Sequence, residues 1–287
     1  MNPTDSSNFH TFRPDRGALS LALANQKGGV GKTTTAVNLG ACLAESGARV
    51  LLVDADPQGN ASTGLGMDRS QIKTGTYEML VGAPVAEAVV ATPVENLSLV
   101  PSTIDLAGAE VELVSTFARE GKLRNALEPA RDSYDLIIID SPPSLGLLTI
   151  NALVAADQVV VPIQCEYYAL EGLGQLIRTI DLVRDALNTT LTIGGVVLTM
   201  FDSRTRLAEQ VVADVRAHFG SVVFDTVIPR SVRLSEAPGF GKPITQYDAA
   251  GKGAQAYRAL AAEAARRWLG HPAGAASAAS RTEGASE

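Results

Sequence analysis

The stretch QKGGVGKTT at residues 26–34 decides the fold of this chain. An apolar run, LSLALANQ (19–26), leads into it, and a helical pattern from Thr33 to Glu45 follows. Glycines between a strand and a helix let backbone N–H groups converge, and the helix N-terminus adds positive potential. The stretch therefore predicts a phosphate-binding loop between a buried strand and a helix.

The loop departs from the usual pattern G-x-x-x-x-G-K-[ST], because Gln26 takes the first glycine position and a second lysine, Lys27, follows it. Lys32 is placed to reach the terminal phosphates of a nucleotide, and Thr33 offers a hydroxyl to Mg²⁺. The backbone between the two lysines is expected to cradle the phosphates, through Gly28, Gly29, Val30 and Gly31.

Short apolar runs alternate with helical patterns along most of the chain. Most runs are almost continuously apolar, as strands buried on both faces are. We therefore expect one doubly wound α/β domain with a mostly parallel sheet, whose ligands bind at the carboxyl ends of the strands. After the first run, the predicted strands are ARVLLVDAD (48–56), LSLVPS (97–102), DLIIIDSPP (135–143), QVVVPIQ (158–164), TIGGVVLTMFD (192–202) and VVFDTVIP (222–229).

With 287 residues, 46% of them apolar, the chain can form one large α/β domain. We expect residues 1–18 to be a flexible arm, 19–270 the folded domain, and 271–287 a disordered tail rich in Ala, Ser and Gly. Cys42 and Cys165 have no metal-binding spacing, which favours buried thiols in a reducing cytosol. No apolar run reaches the length of a membrane span and no export signal opens the chain, so we expect a cytoplasmic protein.

Three carboxylates follow apolar runs and complete a predicted Mg-nucleotide site. Asp140 ends the run in DLIIIDSPP, and we expect it to hold Mg²⁺ directly or through water. Asp54 and Asp56 end the run in ARVLLVDAD, and either one could orient an attacking water. These carboxylates, together with the loop, predict a Mg-nucleotide site rather than an isolated glycine-rich turn.

The motifs KGGVGKTT, DADPQGNASTGLG and IIIDSPPS resemble the deviant Walker family of ATPases. This family includes the ParA/Soj partition ATPases, MinD and the nitrogenase iron protein. Two later segments, LTMFDSRT and IPRSVRLSEAPGFGKPI, are similar to the ParA/Soj branch in particular, so the resemblance covers residues 19–269. It implies ATP and Mg²⁺ as cofactors and ATP hydrolysis as the reaction.

The resemblance also implies roles for single residues. Lys27 matches the signature lysine that reaches the partner's phosphates across an ATP-bound homodimer, and Asp56 matches the carboxylate needed for hydrolysis. It implies a catalytic set of Lys27, Lys32 and Asp56, and a metal set of Thr33, Asp56 and Asp140. The nucleotide contacts that it implies beyond the loop are Thr34, Asp140, Pro229 and Ser231.

Members of the ParA/Soj branch bind double-stranded DNA non-specifically as ATP dimers and are stimulated by a ParB/Spo0J-type centromere-binding partner. The chain carries a net charge of −7, yet residues 199–270 hold ten Lys/Arg and seven Asp/Glu, and this segment is therefore basic relative to the rest. Contacts to DNA phosphates carry no sequence information. The residues that match DNA-contact positions or lie near them are Arg204, Arg233, Arg206 and Lys242. The resemblance thus implies a cytoplasmic, nucleoid-associated protein.

Three other functions remain open to the sequence. A MinD-like membrane-cycling regulator would need an amphipathic C-terminal helix, but the apolar side of GKGAQAYRALAAEAARRWLG is mostly alanine, which favours core packing. An electron-transfer protein would need cysteines that bridge a dimer, and Cys42 and Cys165 do not form such a set. A related ATPase that positions another cargo on the nucleoid also fits, because the sequence does not name the cargo.

Overall fold

The computed structural model describes residues 17–166 and 173–270. The predicted arm and tail therefore lie outside the described residues, apart from the last two positions of the arm. Those two belong to the folded body: Ala18 is fully buried, and its N–H donates a 2.7 Å hydrogen bond to the carbonyl oxygen of Arg131. The first strand begins directly after them, at Leu19.

An eight-stranded sheet forms the centre of the domain, with the strand order β3-β4-β2-β5-β1-β6-β7-β8. All neighbours are parallel except β3 and β4, so the prediction of a mostly parallel sheet is confirmed. The short antiparallel β3 at the edge was not predicted. The strands are β1 Leu19–Leu23, β2 Val50–Asp54, β3 Val90–Ala91, β4 Leu97–Val100, β5 Leu136–Asp140, β6 Gln158–Gln164, β7 Thr192–Phe201 and β8 Val223–Pro229.

Helices cover both faces of the sheet, and alternate residues of each strand point into two separate cores. Helices α1, α2, α10, α11 and α12 pack on one face, and α3 to α9 pack on the other. The fold is therefore doubly wound, as expected. The helices are α1 Lys32–Glu45, α2 Asn60–Gly64, α3 Thr76–Leu80, α4 Val85–Ala88, α5 Leu106–Leu113, α6 Lys122–Leu127, α7 Leu147–Ala155, α8 Leu173–Ala186, α9 Arg206–Phe219, α10 Val232–Glu236, α11 Ile244–Tyr247 and α12 Lys252–Trp268.

Helix α12 packs its apolar side into the core, as its alanine-rich pattern predicts. Tyr257, Leu260 and Trp268 are almost fully buried, and the Trp268 ring meets the edge of Phe224 at 5.6 Å between ring centres. This apolar face is therefore occupied by the sheet. Among the described residues, no helix combines the length and the apolar character that a bilayer crossing requires.

The order of the strands brings the predicted site residues together. Strand β5 lies between β1 and β2, and Asp140 at its end pairs in register with Leu23 on one side and Asp54 on the other. Because all three strands are parallel, their carboxyl ends meet at one edge of the sheet. The loop after β1, the turn after β2 and the end of β5 therefore face the same space.

Candidate nucleotide-binding site

The loop after β1 has the backbone geometry of an anion cradle. Gly29 and Gly31 have φ angles of 73° and 91°, a left-handed conformation that side chains rarely adopt. Helix α1 begins at Lys32 without a side-chain cap, and its first helical hydrogen bond runs from the N–H of Thr35 to the carbonyl oxygen of Gly31 at 2.9 Å. The N–H groups before Thr35 have no intrahelical acceptor, so they are available to phosphate oxygens.

Two polar side chains outside the motif hold the loop in place. Asn25 is buried, donates from Nδ2 to the carbonyl oxygen of Pro162 at 2.7 Å, and accepts from the N–H of Lys27 at 3.0 Å. Thr199, near the end of β7, donates from Oγ1 to the carbonyl oxygen of Val30 at 2.8 Å. Sequence reasoning missed both residues. The only signal for Asn25 was a polar residue at the end of an apolar run.

The two lysines of the loop lie in opposite environments. Lys32 is 6% exposed, and its Nζ donates to the carbonyl oxygen of Lys27 at 3.3 Å. Burial lowers the pKa of Lys32, while Asp140 and Asp56 act to raise it. Lys27 is exposed and forms no ion pair within residues 17–166 and 173–270. Lys32 is thus held inside its own site, whereas Lys27 is accessible from solvent.

Asp140 is a fully buried carboxylate whose two oxygens have no hydrogen-bond partner among the described residues. Burial raises the pKa of Asp140 well above its usual value, and the charge of Asp54 raises it further. The hydroxyl of Thr33 and the ammonium of Lys32 oppose this rise, although the Thr33 hydroxyl does not reach the geometry of a hydrogen bond. A buried carboxylate without donors is costly unless a cation or a donor joins it.

Asp54 and Asp56 have different surroundings, which separates the two candidates for orienting water. Asp54 is fully buried and accepts from the N–H and Oγ of Ser62 at 2.8 and 2.6 Å and from the N–H of Asp56 at 3.3 Å. Burial raises the pKa of Asp54 to about 6, and the Ser62 hydrogen bonds partly offset this effect. Asp54 is therefore an anchor for the turn, whereas Asp56, beside Lys32, remains the better candidate for chemistry.

The donor set near the loop suits Mg²⁺ in the form that nucleotide sites use. No cluster of three or more His, Cys, Asp or Glu side chains able to hold a metal exists in the described part of the chain. Mg²⁺ commonly takes one or two protein oxygens and completes its shell with phosphates and water. The unpartnered oxygens of Asp140 beside the hydroxyl of Thr33 fit that arrangement, with Asp56 close enough to influence Lys32. Thr33, Asp140 and Asp56 would hold the ion.

A cleft of about 400 Å³ opens beside the loop and extends it toward the ends of β7 and β8. Gly31 and Thr34 line it together with Pro229 and Ser231, so the two residues predicted to contact the base or sugar share a cavity with the loop. Met200 also lines the cleft and has a φ of 53°, unusual for a residue with a side chain. The cavity thus has room for the nucleoside part of a nucleotide.

Arg204 and Arg206, two of the predicted DNA contacts, lie exposed just after β7. Arg204 is already paired with Asp202 in a two-point ion pair, with Nε–Oδ1 and Nη2–Oδ2 distances of 2.8 and 2.7 Å. Hydrogen bonds from Arg204 lower the pKa of Asp202 far below its usual value. Any phosphate bound by Arg204 must compete with this carboxylate.

Arg233 and Lys242, the other two predicted DNA contacts, are exposed on the segment after β8. Arg233 pairs with Glu236 at 2.9 Å, and the same carboxylate oxygen accepts from the hydroxyl of Tyr247 at 3.0 Å. The four predicted DNA contacts therefore follow the carboxyl ends of two neighbouring strands, since β7 and β8 pair directly. Two of the four are held by carboxylates of their own chain.

Comparison with known proteins identifies the family of this site. Residues 19–193, more than half of the chain, match a family model described as an AAA domain. Over 246 residues the chain is 60% identical to the sporulation initiation inhibitor protein Soj of Bacillus subtilis, which covers 85% of this chain and 97% of that protein. The chain belongs to the ParA/Soj family of ATPases. Another member of the ParA/Soj family, the chromosome partitioning protein ParA of Caulobacter vibrioides, is 58% identical over 250 residues, covering 86% of this chain and 94% of that protein.

Solved structures agree with this family and its fold. A Mycobacterium smegmatis protein described as a cobyrinic acid a,c-diamide synthase, with bound ADP and magnesium, matches with a TM-score of 0.78 and 41% identity, over 89% of this chain and 98% of that one. The septum site-determining protein MinD of Pyrococcus horikoshii, complexed with Mg-ADP, matches with a TM-score of 0.68 and 26% identity, over 86% and 95%. Both relatives thus hold a magnesium nucleotide on the same fold.

Proposed function

We propose that this ParA/Soj-type ATPase is an ATP-gated DNA-segregation switch. It uses ATP and Mg²⁺, forms a homodimer around two nucleotides, binds double-stranded DNA without sequence preference, and leaves the DNA after hydrolysis. The observation that carries this proposal is the pair of lysines in one phosphate loop, of which Lys32 is buried and Lys27 is exposed. A second lysine that is exposed to solvent is accessible to the site of another subunit.

Within one subunit, the residues of the loop bind and orient ATP. The free N–H groups at the start of α1 and the ammonium of Lys32 hold the phosphates, while Thr34 and the cleft near Pro229 and Ser231 hold the rest of the nucleotide. Thr33, Asp140 and Asp56 would hold Mg²⁺, and the bound ion would offset the charge of the phosphates. Asp56 would orient the attacking water, since Asp54 is committed to Ser62.

Between two subunits, Lys27 would neutralise the phosphates of the partner. A cation delivered from the partner offsets the charge that develops during phosphoryl transfer, and it makes hydrolysis depend on the dimer. The dimer would also double the number of phosphate contacts to DNA made by Arg204, Arg206, Arg233 and Lys242, and salt-sensitive affinity rises with that number. This account links ATP, dimerisation and DNA binding through one side chain.

The partner and the location follow from the same proposal. A centromere-binding protein of the ParB/Spo0J type would stimulate hydrolysis and so release the dimer from DNA. Because the ATP-bound dimer would bind chromosomal or plasmid DNA, the protein would be found on the nucleoid. The chromosome-partitioning name of the Caulobacter vibrioides relative, which is 58% identical to this chain, supports this assignment over a membrane-cycling role. The core packing of the apolar side of α12 supports it as well, since a membrane-binding helix would need that side free.

The decisive experiment mixes two inactive variants, Lys27→Gln and Asp56→Ala. In a mixed dimer, Lys27 of the Asp56→Ala subunit can serve the site on the Lys27→Gln subunit, whose own Asp56 is intact. We expect ATPase activity in the mixture above that of either variant alone. If mixed dimers form by cross-linking and no ratio restores activity, Lys27 does not act between subunits.

A second measurement separates nucleotide binding from dimerisation. Lys32→Gln should abolish tight binding of a fluorescent ATP analogue, because the phosphates lose their cation within the subunit. Lys27→Gln should keep most of the affinity for ATP yet lose the ATP-induced dimer on size-exclusion chromatography, and DNA binding with it. Equal loss of ATP affinity in both variants would place both lysines in the same site.

A further inference from the structure

Arg69 lies outside every motif of the site, yet its guanidinium is hydrogen-bonded to the turn that carries Asp56. The side chain donates to three main-chain carbonyl oxygens: Nη2 to Pro57 at 2.9 Å, Nη1 to Gln58 at 2.7 Å and Nε to Ser102 at 3.1 Å. No carboxylate of the described residues forms an ion pair with it. In the described part of the chain, all the hydrogen bonds that the Arg69 side chain donates go to backbone carbonyl oxygens.

The turn held by Arg69 begins at Asp56 and ends at Gly59. The N–H of Gly59 donates to the carbonyl oxygen of Asp56 at 2.9 Å, and the N–H of Gln58 donates to Oδ1 of the Asp56 side chain at 2.9 Å. Gly59 has a φ of 64°, and a Cβ added there would meet the guanidinium of Arg69. The guanidinium is therefore packed against the turn.

The third acceptor ties this turn to the rest of the sheet. Ser102 follows β4, and its N–H donates to Oγ of Ser62 at 2.9 Å. Ser62 in turn donates to Asp54 at the end of β2. Arg69 thus bridges the Asp56 turn and a network that is anchored on two strands. Hydrogen bonds from a charged guanidinium are among the stronger ones in proteins, and its planar fork matches several acceptors at once.

We infer that Arg69 is a positioning residue for ATP hydrolysis, acting through Asp56. The inference rests on the proposed role of Asp56 in orienting water. With the carbonyl groups of Pro57 and Gln58 released, the turn has more conformations available, and Asp56 is less often in the orientation that hydrolysis needs. ATP binding depends on the loop after β1, to which Arg69 donates no hydrogen bond in the described part of the chain, so we expect binding to be spared.

A purely stabilising role for Arg69 makes a different prediction. If the three hydrogen bonds served only the fold, their loss would lower Tm and leave the rate constant of the folded enzyme unchanged. A positioning role lowers the rate constant for hydrolysis while the Kd of ATP stays nearly constant. The split between these two constants separates the roles, whatever the change in Tm.

The test compares Arg69→Ala and Arg69→Lys with the wild type in single-turnover hydrolysis and in titration with a fluorescent ATP analogue. We expect the rate constant to fall at least about tenfold for Arg69→Ala, and less for Arg69→Lys, because an ammonium reaches fewer of the three carbonyls. The Kd should change less than about threefold. Arg216→Ala is the matched control, since Arg216 also donates to a backbone carbonyl, that of Asp225 at 3.0 Å, and we expect wild-type kinetics from it.

Comparison with Asp56→Ala makes the outcome decisive. Should Arg69→Ala fail to fold, Arg69→Lys carries the test. If Asp56→Ala hydrolyses ATP normally, the proposed role of Asp56 fails and the inference with it. If Asp56→Ala is inactive while Arg69→Ala and Arg69→Lys keep the wild-type rate, the inference about Arg69 alone is overturned.

Discussion

The hydroxyl of Thr199 donates a 2.8 Å hydrogen bond to the carbonyl oxygen of Val30, across 169 residues of chain. This contact joins the middle of the phosphate loop to β7, and Thr199 also lines the cleft beside the loop. The Thr199 side chain is buried, so the bond is shielded from water. The shape of the loop therefore depends on a strand far along the chain.

Thr199→Val should weaken ATP binding about fivefold, because valine keeps the shape and loses a hydrogen bond worth about 1 kcal/mol. Thr199→Ser, which keeps the hydroxyl, is the control and should bind ATP nearly as the wild type does. Titration with a fluorescent ATP analogue measures both. Equal affinity of the valine and serine variants would show that the hydrogen bond does not shape the loop.

Asp140→Asn should raise the Tm of the nucleotide-free protein, by about 2–4 °C if the gain is on the order of 1 kcal/mol. The folded-state pKa of Asp140 is raised, so its contribution to stability is full at low pH and is lost as pH rises through that pKa. The gain from asparagine should therefore be larger at pH 8 than at pH 5, just above the ordinary pKa of an aspartate. Differential scanning calorimetry at the two pH values measures it.

ATP with Mg²⁺ should raise the Tm of the wild type more than ATP alone does, and the Asp140→Asn variant should lose most of this difference. The reason is that a ligand stabilises the folded state only to the extent that it binds it. ATP with EDTA is the control and should stabilise both proteins alike. A variant that responds fully to Mg²⁺ would remove Asp140 from the proposed metal site.

Asp202→Asn should strengthen binding to DNA, because it frees Arg204 from its two-point ion pair. Arg204→Ala should weaken binding equally on unrelated duplexes and reduce the slope of log affinity against log salt by about 1. Arg184→Ala is the control, since Arg184 is also paired with a carboxylate, Asp181, but lies on α8. Filter binding at several salt concentrations tests all three. Sequence-dependent loss, or tighter binding by Arg204→Ala, would contradict the proposed surface.

Cys42 and Cys165 should resist thiol reagents at pH 8 in the folded protein. Burial raises the pKa of Cys42 to about 12 and that of Cys165 to about 11, so almost no thiolate, the reactive form, is present at that pH. Reaction with a chromogenic disulfide should release two equivalents only after addition of denaturant. One fast equivalent from the native protein would mean that one of these thiols is accessible.

The sequence predicted those parts of the candidate site whose residues are close together along the chain. A strand, a glycine-rich loop and a helix are neighbours in sequence, and so the loop and the start of α1 at Lys32 could be inferred directly. Apolar runs also identified the strands that end at Asp54 and Asp140. Their side-by-side register in parallel strands then brings the two carboxylates together.

What the sequence could not supply depends on contacts between distant segments. Asn25 and Arg69 stand in no motif, and Thr199 lies in the segment LTMFDSRT without a predicted role; each matters through a backbone carbonyl that only the fold brings near. The choice between Asp54 and Asp56 likewise required Ser62, because its hydroxyl occupies one carboxylate and leaves the other available. Strand β3 has only two residues, too few for a periodic signal.

The position of β1 in the middle of the sheet has a consequence for biosynthesis. The phosphate loop leaves the ribosome early, but β6 and β7, which supply the acceptor at Pro162 and the hydroxyl of Thr199, are translated much later. A nascent chain that ends after β5 carries both lysines of the loop and Asp140, but it lacks β6 and β7, whose residues form hydrogen bonds with Asn25 and Val30. We therefore expect the growing polypeptide to acquire nucleotide affinity only once β7 has emerged, so that translation stalled before that point yields a fragment unable to sequester ATP.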